Sequence, residues 1–223
     1  MKLVRHYLEA AGALGTWRSA IDAEFDKTAT YLEQCLPANA QDSVDVIVEN
    51  VPGATIPEYG LTGSCFRSSL ITLTVDSLNQ NFPTSLTTGE LSRILTHEVH
   101  HALRFKLCPN GYGFTLSEAL VSEGLADCFV DEVWGKHPSP ITNALPPAHW
   151  DETVALAGKH LSSDCYDHAE WFFGMGRLPR WAGYALGYRL VKQYLRQNPD
   201  VRPTGLAGVD ASLVIDQSWP PTL

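Results

Sequence analysis

A chain of 223 residues, 44% hydrophobic and 18% charged, can bury a sizeable core, and it has no repeat or low-complexity tract, which excludes a disordered or repeat protein. A net charge of -9, with 16 Lys and Arg that form no dense cluster, opposes a phosphate backbone, so nucleic acid is not an expected partner. Five cysteines at irregular spacing without Cys-x-x-Cys fit reduced thiols, Glu9 interrupts the apolar run of a signal peptide, and no stretch approaches the roughly 18 apolar residues of a membrane span; a cytoplasmic protein with no membrane role is expected.

From Val4 to Leu36 apolar residues recur at helical spacing, interrupted near Gly12 to Gly15, which predicts one or two N-terminal helices ending at Pro37. Ser43 to Val48 alternates and is β-branched, a short strand. Pro52, Gly53, Pro57, Gly60 and Gly63 then mark a loop with turns. Ser69 to Val75 alternates again and is the best strand in the chain. Thr87 and Glu90 have the spacing of a capping box before a helix running to about Lys106, which Cys108-Pro109-Asn110-Gly111 stops. Thr115 and Glu118 form a second capping box, opening a helix to Trp134 that ends at Gly135. Pro138, Pro140, Pro146 and Pro147 predict a structured loop, followed by helices from about Asp151 to Leu161 and Pro179 to Arg196, and an irregular tail from 201. This order predicts a single α+β domain over 1–223, with N-terminal helices and sheet to about 86, helices over 87–200 and a tail over 201–223.

The first capped helix contains His97-Glu98-Val99-His100-His101, the pattern His-Glu-x-x-His. Helical geometry puts His97 and His101 one turn apart on one face, where both imidazoles can reach one ion. Stepping 100° per residue, Leu91, Ile94, Leu95, Ala102 and Phe105 make an apolar face with Glu98 in its middle, while Arg93, His100 and Arg104 lie round toward solvent or a polar side. The second helix sets Glu123, with Asp127 one turn on, in a stripe of Ala119, Leu120, Ala126, Val130, Val133 and Trp134. Carboxylates inside apolar stripes are costly unless paired or metal-linked. A zinc ion with its imidazoles would compensate them; pairing of Glu123 and Asp127 with Arg93 or Arg104 is the alternative.

On these residues the chain resembles the gluzincins, thermolysin-like metallopeptidases in which His-Glu-x-x-His is followed on a later helix by Glu-x-x-x-Asp, here Glu123 to Asp127, 22 residues after His101. More closely, Leu95 to Ala102, Ser122 to Ala126 and Gly183 to Tyr188 resemble a bacterial family of predicted zinc-dependent proteases. The resemblance implies a zincin-like fold, with a small mixed or antiparallel sheet, an active-site helix and a mostly helical C-terminal part. It also implies Zn2+ held by His97, His101 and Glu123, an open fourth position for water, Glu98 as general base and then acid, and Asp127 orienting a ligand histidine. The strand Ser69 to Val75 would be the edge along which a peptide or protein substrate lies. The oxyanion donor is sought in Tyr184, with Tyr188 and His168 as alternatives. His6, His137, His149 and His160 read as ordinary surface or partly packed residues, and Cys128 as a packed thiol.

Peptide deformylases share His-Glu-x-x-His with a cysteine ligand, but the Glu-Gly-Cys-Leu setting of that family is absent around Cys65. Two other functions stay open at this stage: a zincin-like domain with a structural or partner-binding metal and no turnover, and a zinc hydrolase of a non-peptide amide or ester.

Overall fold

The computed structural model describes residues 1–37, 40, 43–136 and 139–223, which form two compact units, Met1–Lys106 and Leu107–Leu223. The architecture is α+β, with one four-stranded mixed sheet and abundant helix among the described residues. His137 and Pro138 lie outside the described residues.

In the first unit the strands are β1 (Lys2–Leu8), β2 (Ser43–Asn50), β3 (Leu61–Arg67) and β4 (Leu70–Val75), in the order β1-β2-β4-β3. β1 runs parallel to β2 and β2 parallel to β4, while β3 returns antiparallel to β4. The helix α1 (Arg18–Cys35) provides the crossover that the parallel β1 and β2 require. Val44, Val46, Val48, Ile71, Leu73 and Val75 are all buried, so one face of the sheet is the apolar one and the alternation of β2 and β4 holds.

Two expectations fail here. The segment from Val4 begins as a strand, because β1 points polar side chains at α1. Arg5 reaches Asp26 at 2.9 Å and the Tyr7 hydroxyl donates to Asp22 at 2.8 Å, so the inward positions are not apolar and the period of two is hidden. The stretch read as turns holds β3, whose residues Leu61, Gly63 and Cys65 pair with Val75, Leu73 and Ile71. Glycine and serine inside a strand mask its pattern. Consequently β4 is flanked on both sides, and the free edge next to it belongs to β3.

A short helix α2 (Phe82–Thr88) ends on Gly89 in the left-handed region (φ 82°), and α3 (Glu90–Leu107) starts at once. Thr87 is therefore inside α2, its hydroxyl donating to the Thr84 carbonyl at 2.9 Å, and the expected capping box with Glu90 does not form. A left-handed residue ends one helix and resets the chain direction for the next, a task glycine performs without steric cost. The Ser92 hydroxyl donates to the Glu24 carboxylate of α1 at 2.5 Å, tying the start of α3 down. From Leu95 to Arg104 nearly every α3 residue is buried, including His100 and Arg104, which the helical wheel placed toward solvent or a polar side. A helix enclosed by protein has no solvent side.

The second unit is built on α4 (Leu116–Trp134). The Thr115 side chain accepts from the Glu118 N–H, and the Glu118 carboxylate accepts from the Thr115 N–H at 3.0 Å, the capping box expected from the sequence; Gly135 closes the helix. Around it stand α5 (Pro147–His160), α6 (His168–Phe173), α7 (Ala182–Gln197) and α8 (Ala211–Ser218). One apolar cluster joins Leu116 and Leu120 to Trp150, Phe172 and Leu186; another joins Val121, Leu125 and Cys128 to Tyr188, Val191 and Val214. The segment after 200 is thus no irregular tail, because α8 seats Ala211 and Val214 in that second core.

α4 and α7 touch backbone to backbone. A Cβ on Gly124 would stand 2.1 Å from the Gly187 carbonyl oxygen, and one on Gly187 would stand 2.2 Å from that of Leu120. These two glycines let the helix carrying Glu123 and the helix carrying Tyr184 lie closer than any side chain allows.

Candidate metal centre

The α-helical spacing of His97 and His101 brings their Nε2 atoms to 3.0 Å, with the rings edge to face at 78°. A carboxylate oxygen of Glu123 joins them, and the three ligand atoms all lie within 4.8 Å of one another. His101 and Glu123 are buried and His97 is half-buried. Two nitrogens bound to one tetrahedral zinc at about 2.0 to 2.1 Å stand roughly 3.3 Å apart, so the imidazole pair is already near that spacing. Two imidazoles and a carboxylate are also the donor set of a catalytic zinc site with one position left open. The residues present fit the ion. His100 and Cys65 are not in this group.

Glu98 is buried at 7% exposure, and its room comes from β3. A Cβ on Gly63 would lie 2.5 Å from Glu98 Cγ and 2.7 Å from Oε1, so the carboxylate rests against bare backbone of the strand. Two residues on, burial, with a smaller contribution from the nearby Glu98 carboxylate, pushes the Cys65 thiol up to about 12. Cys65 is a buried protonated thiol.

The Glu123 side chain is held from the loop before α4. Tyr112 Oη donates to Glu123 Oε1 at 2.8 Å, and Ser122 Oγ donates to the Tyr112 carbonyl at 2.7 Å. Burial, with the Glu123 carboxylate next in effect, raises the Tyr112 phenol well above its ordinary value, so its hydroxyl stays a donor. Tyr112 carries no sequence signal, since it sits between two turn glycines outside any periodic segment. Asp127 follows Glu123 by one turn of α4.

The three oxyanion candidates part company. The Tyr188 hydroxyl donates to Asp131 at 2.6 Å, and its ring belongs to the buried core. Tyr184 packs edge to face on Phe172 at 5.1 Å and is close enough to Tyr112 to raise its pKa. His168 opens α6, stacks on Phe172 at 4.4 Å, and has Nδ1 3.2 Å from the Tyr166 hydroxyl. Burial lowers the His168 pKa, against the opposing pull of Glu123 and Asp167, so His168 belongs to the neighbourhood of the Glu123 carboxylate. His6, His149 and His160 are exposed, and Cys128 is buried, as expected.

The chain is thus a mixed α+β protein with a group of two histidines and a glutamate that could hold a metal ion. Residues 26–216 match the family described as "Predicted Zn-dependent protease (DUF2268)", and the chain belongs to that family. It is similar to the "Uncharacterized protein YjaZ" of Bacillus subtilis (strain 168), 29% identical over 125 residues, which are 53% of this chain and 48% of that one. It is also similar to the "Uncharacterized protein YjfC" of the same organism, 27% identical over 155 residues, 60% of this chain and 49% of that one. The matched stretch spans about half the length of these curated relatives. Among the described residues no helix is long and apolar enough to cross a membrane.

Proposed function

We propose that this chain is a zinc-dependent metallopeptidase of the gluzincin kind, with His97, His101 and Glu123 as protein ligands and Glu98 as general base. The observation that carries the reading is the grouping of those three ligand atoms, with the buried Glu98 carboxylate one residue from His97. A bound zinc would lower the pKa of water to about 7 and polarise the carbonyl under attack. Glu98 takes the proton of the attacking water and delivers it to the leaving amine, so one carboxylate serves as base and then acid. Asp127 holds a ligand imidazole in one tautomer, as carboxylates beside metal-bound histidines do. Tyr184 donates a hydrogen bond to the developing oxyanion, with His168 as the second donor of that neighbourhood.

The substrate is a peptide or protein in extended form. Because β3 is the sheet's free edge on the β4 side and touches Glu98 at Gly63, main-chain pairing of substrate falls to β3 and not to Ser69 to Val75.

The test is E98Q against H101A. Metal analysis should find zinc retained by E98Q and lost by H101A, while cleavage of a mixed peptide library falls by roughly two to four orders of magnitude in E98Q. An E98Q protein that still cleaves at the wild-type rate removes the general-base assignment. Failure of the wild type to bind zinc at neutral pH removes the whole reading.

A further inference from the structure

We propose that Tyr112 is a positioning residue of the metal centre, holding the Glu123 carboxylate in its liganding rotamer through the Oη to Oε1 hydrogen bond. The inference rests on the zinc reading above and assigns a role that the His-Glu-x-x-His and Glu-Gly-Leu-Ala-Asp segments do not contain.

A glutamate ligand has three rotatable bonds, and each costs binding free energy when the ion must freeze it. A donor fixed beside one oxygen removes that freedom in advance and fixes which lone pairs are left for the metal. Tyr112 is itself fixed. Its carbonyl accepts from Ser122, a fully buried residue adjacent to Glu123. The chain on either side of it is clamped by the helix cap: the Glu118 carboxylate accepts from Asn110 Nδ2 at 2.8 Å, from the Phe114 N–H at 2.9 Å and from the Thr115 N–H at 3.0 Å. Glu118 therefore binds the chain on both sides of Tyr112. The cap that starts α4 and the hydroxyl that steers Glu123 are parts of one construction, two turns of helix long.

Because the ring is partly buried and makes an edge-to-face contact with His168 at 6.1 Å, the variant of choice is Y112F, which keeps the ring and removes only the donor. Zinc affinity is measured on the full chain by competition with a chromophoric chelator, and melting is recorded on the chelator-treated protein. Y112F should bind zinc roughly 10- to 100-fold more weakly than wild type, the range for removal of a hydrogen bond behind a metal ligand, while the metal-free protein melts close to wild type. In an E123Q background the same substitution should cost little further affinity, because the oriented carboxylate is already gone.

Equal zinc affinity in wild type and Y112F overturns the inference and leaves the zinc site standing. A Y112F protein that loses metal-free stability while keeping its zinc affinity overturns it too, by showing a hydroxyl that serves packing alone. Wild type without zinc affinity overturns both this inference and the peptidase reading, so the two failures are told apart by the wild-type titration.

Discussion

Gly63 leaves space on β3, and Glu98 fills it. An added methyl would stand 2.5 Å from Glu98 Cγ, well inside van der Waals contact, and the neighbouring backbone is held in a strand ladder. The side chain must then rotate away. For G63A we expect a folded protein that keeps zinc and loses at least roughly tenfold in peptide hydrolysis, since a base about 1 Å out of place forfeits much of its advantage. Steady-state kinetics beside metal analysis decides this; an unchanged rate in G63A would mean that the Glu98 position is not set by β3. At the same scale Cys65 is inert, because a thiol whose pKa is pushed up to about 12 carries almost no thiolate at neutral pH. Alkylation of the native protein should spare Cys65 and begin at the exposed Cys165, as peptide mapping would report.

At the scale of elements, the start of α4 and its contact with α7 carry most of the argument. Burial works to raise the Glu118 pKa, but the N–H groups of Thr115 and Phe114, Asn110 and the Thr115 hydroxyl outweigh it and hold the carboxyl down to about 2. A carboxyl whose folded pKa lies below its unfolded value of about 4.3 adds stability above that value and loses it as pH falls toward 2. Wild type should therefore lose stability across that window more steeply than E118Q, which lacks the titration, while E118Q is the less stable of the two at pH 7. Urea midpoints at several pH values give both slopes, and parallel slopes would refute the cap's role.

The glycines give a second contrast. G124A or G187A drives a methyl into carbonyl oxygen little more than 2 Å away, which no rotamer can relieve, and should cost at least about 1 to 3 kcal/mol. Gly158 in the exposed part of α5 meets nothing closer than 3.6 Å, so G158A should gain roughly 0.5 to 1 kcal/mol from helix propensity. Denaturant unfolding of the three variants tests the pair of signs together.

Over the whole molecule, a ligand that binds the folded chain and not the unfolded one raises stability by mass action. Free zinc at 100 times its dissociation constant contributes about 2.7 kcal/mol, a rise in Tm of roughly 5 to 10 °C for a chain of this size. Chelator should lower the melting temperature of the wild type by that amount and leave H101A unmoved; equal shifts in both would mean the chelator acts elsewhere.

The facing of His97 and His101 and the Thr115 cap were legible in the sequence because each depends on contacts three or four residues apart, which the pitch of a helix fixes. The α+β class was legible for a related reason, since β2, β4, α3 and α4 announce themselves by their own periods. β1 and β3 did not, because an inward arginine and tyrosine in one and glycine with serine in the other break the alternation that a strand shows when its partners are apolar. The burial of His100 and Arg104, the free edge passing from β4 to β3, the space beside Glu98 and the hydroxyl on Glu123 join residues far apart in the chain or in segments without periodicity. Those depend on how distant segments close on one another, a property of packing that no local repeat encodes.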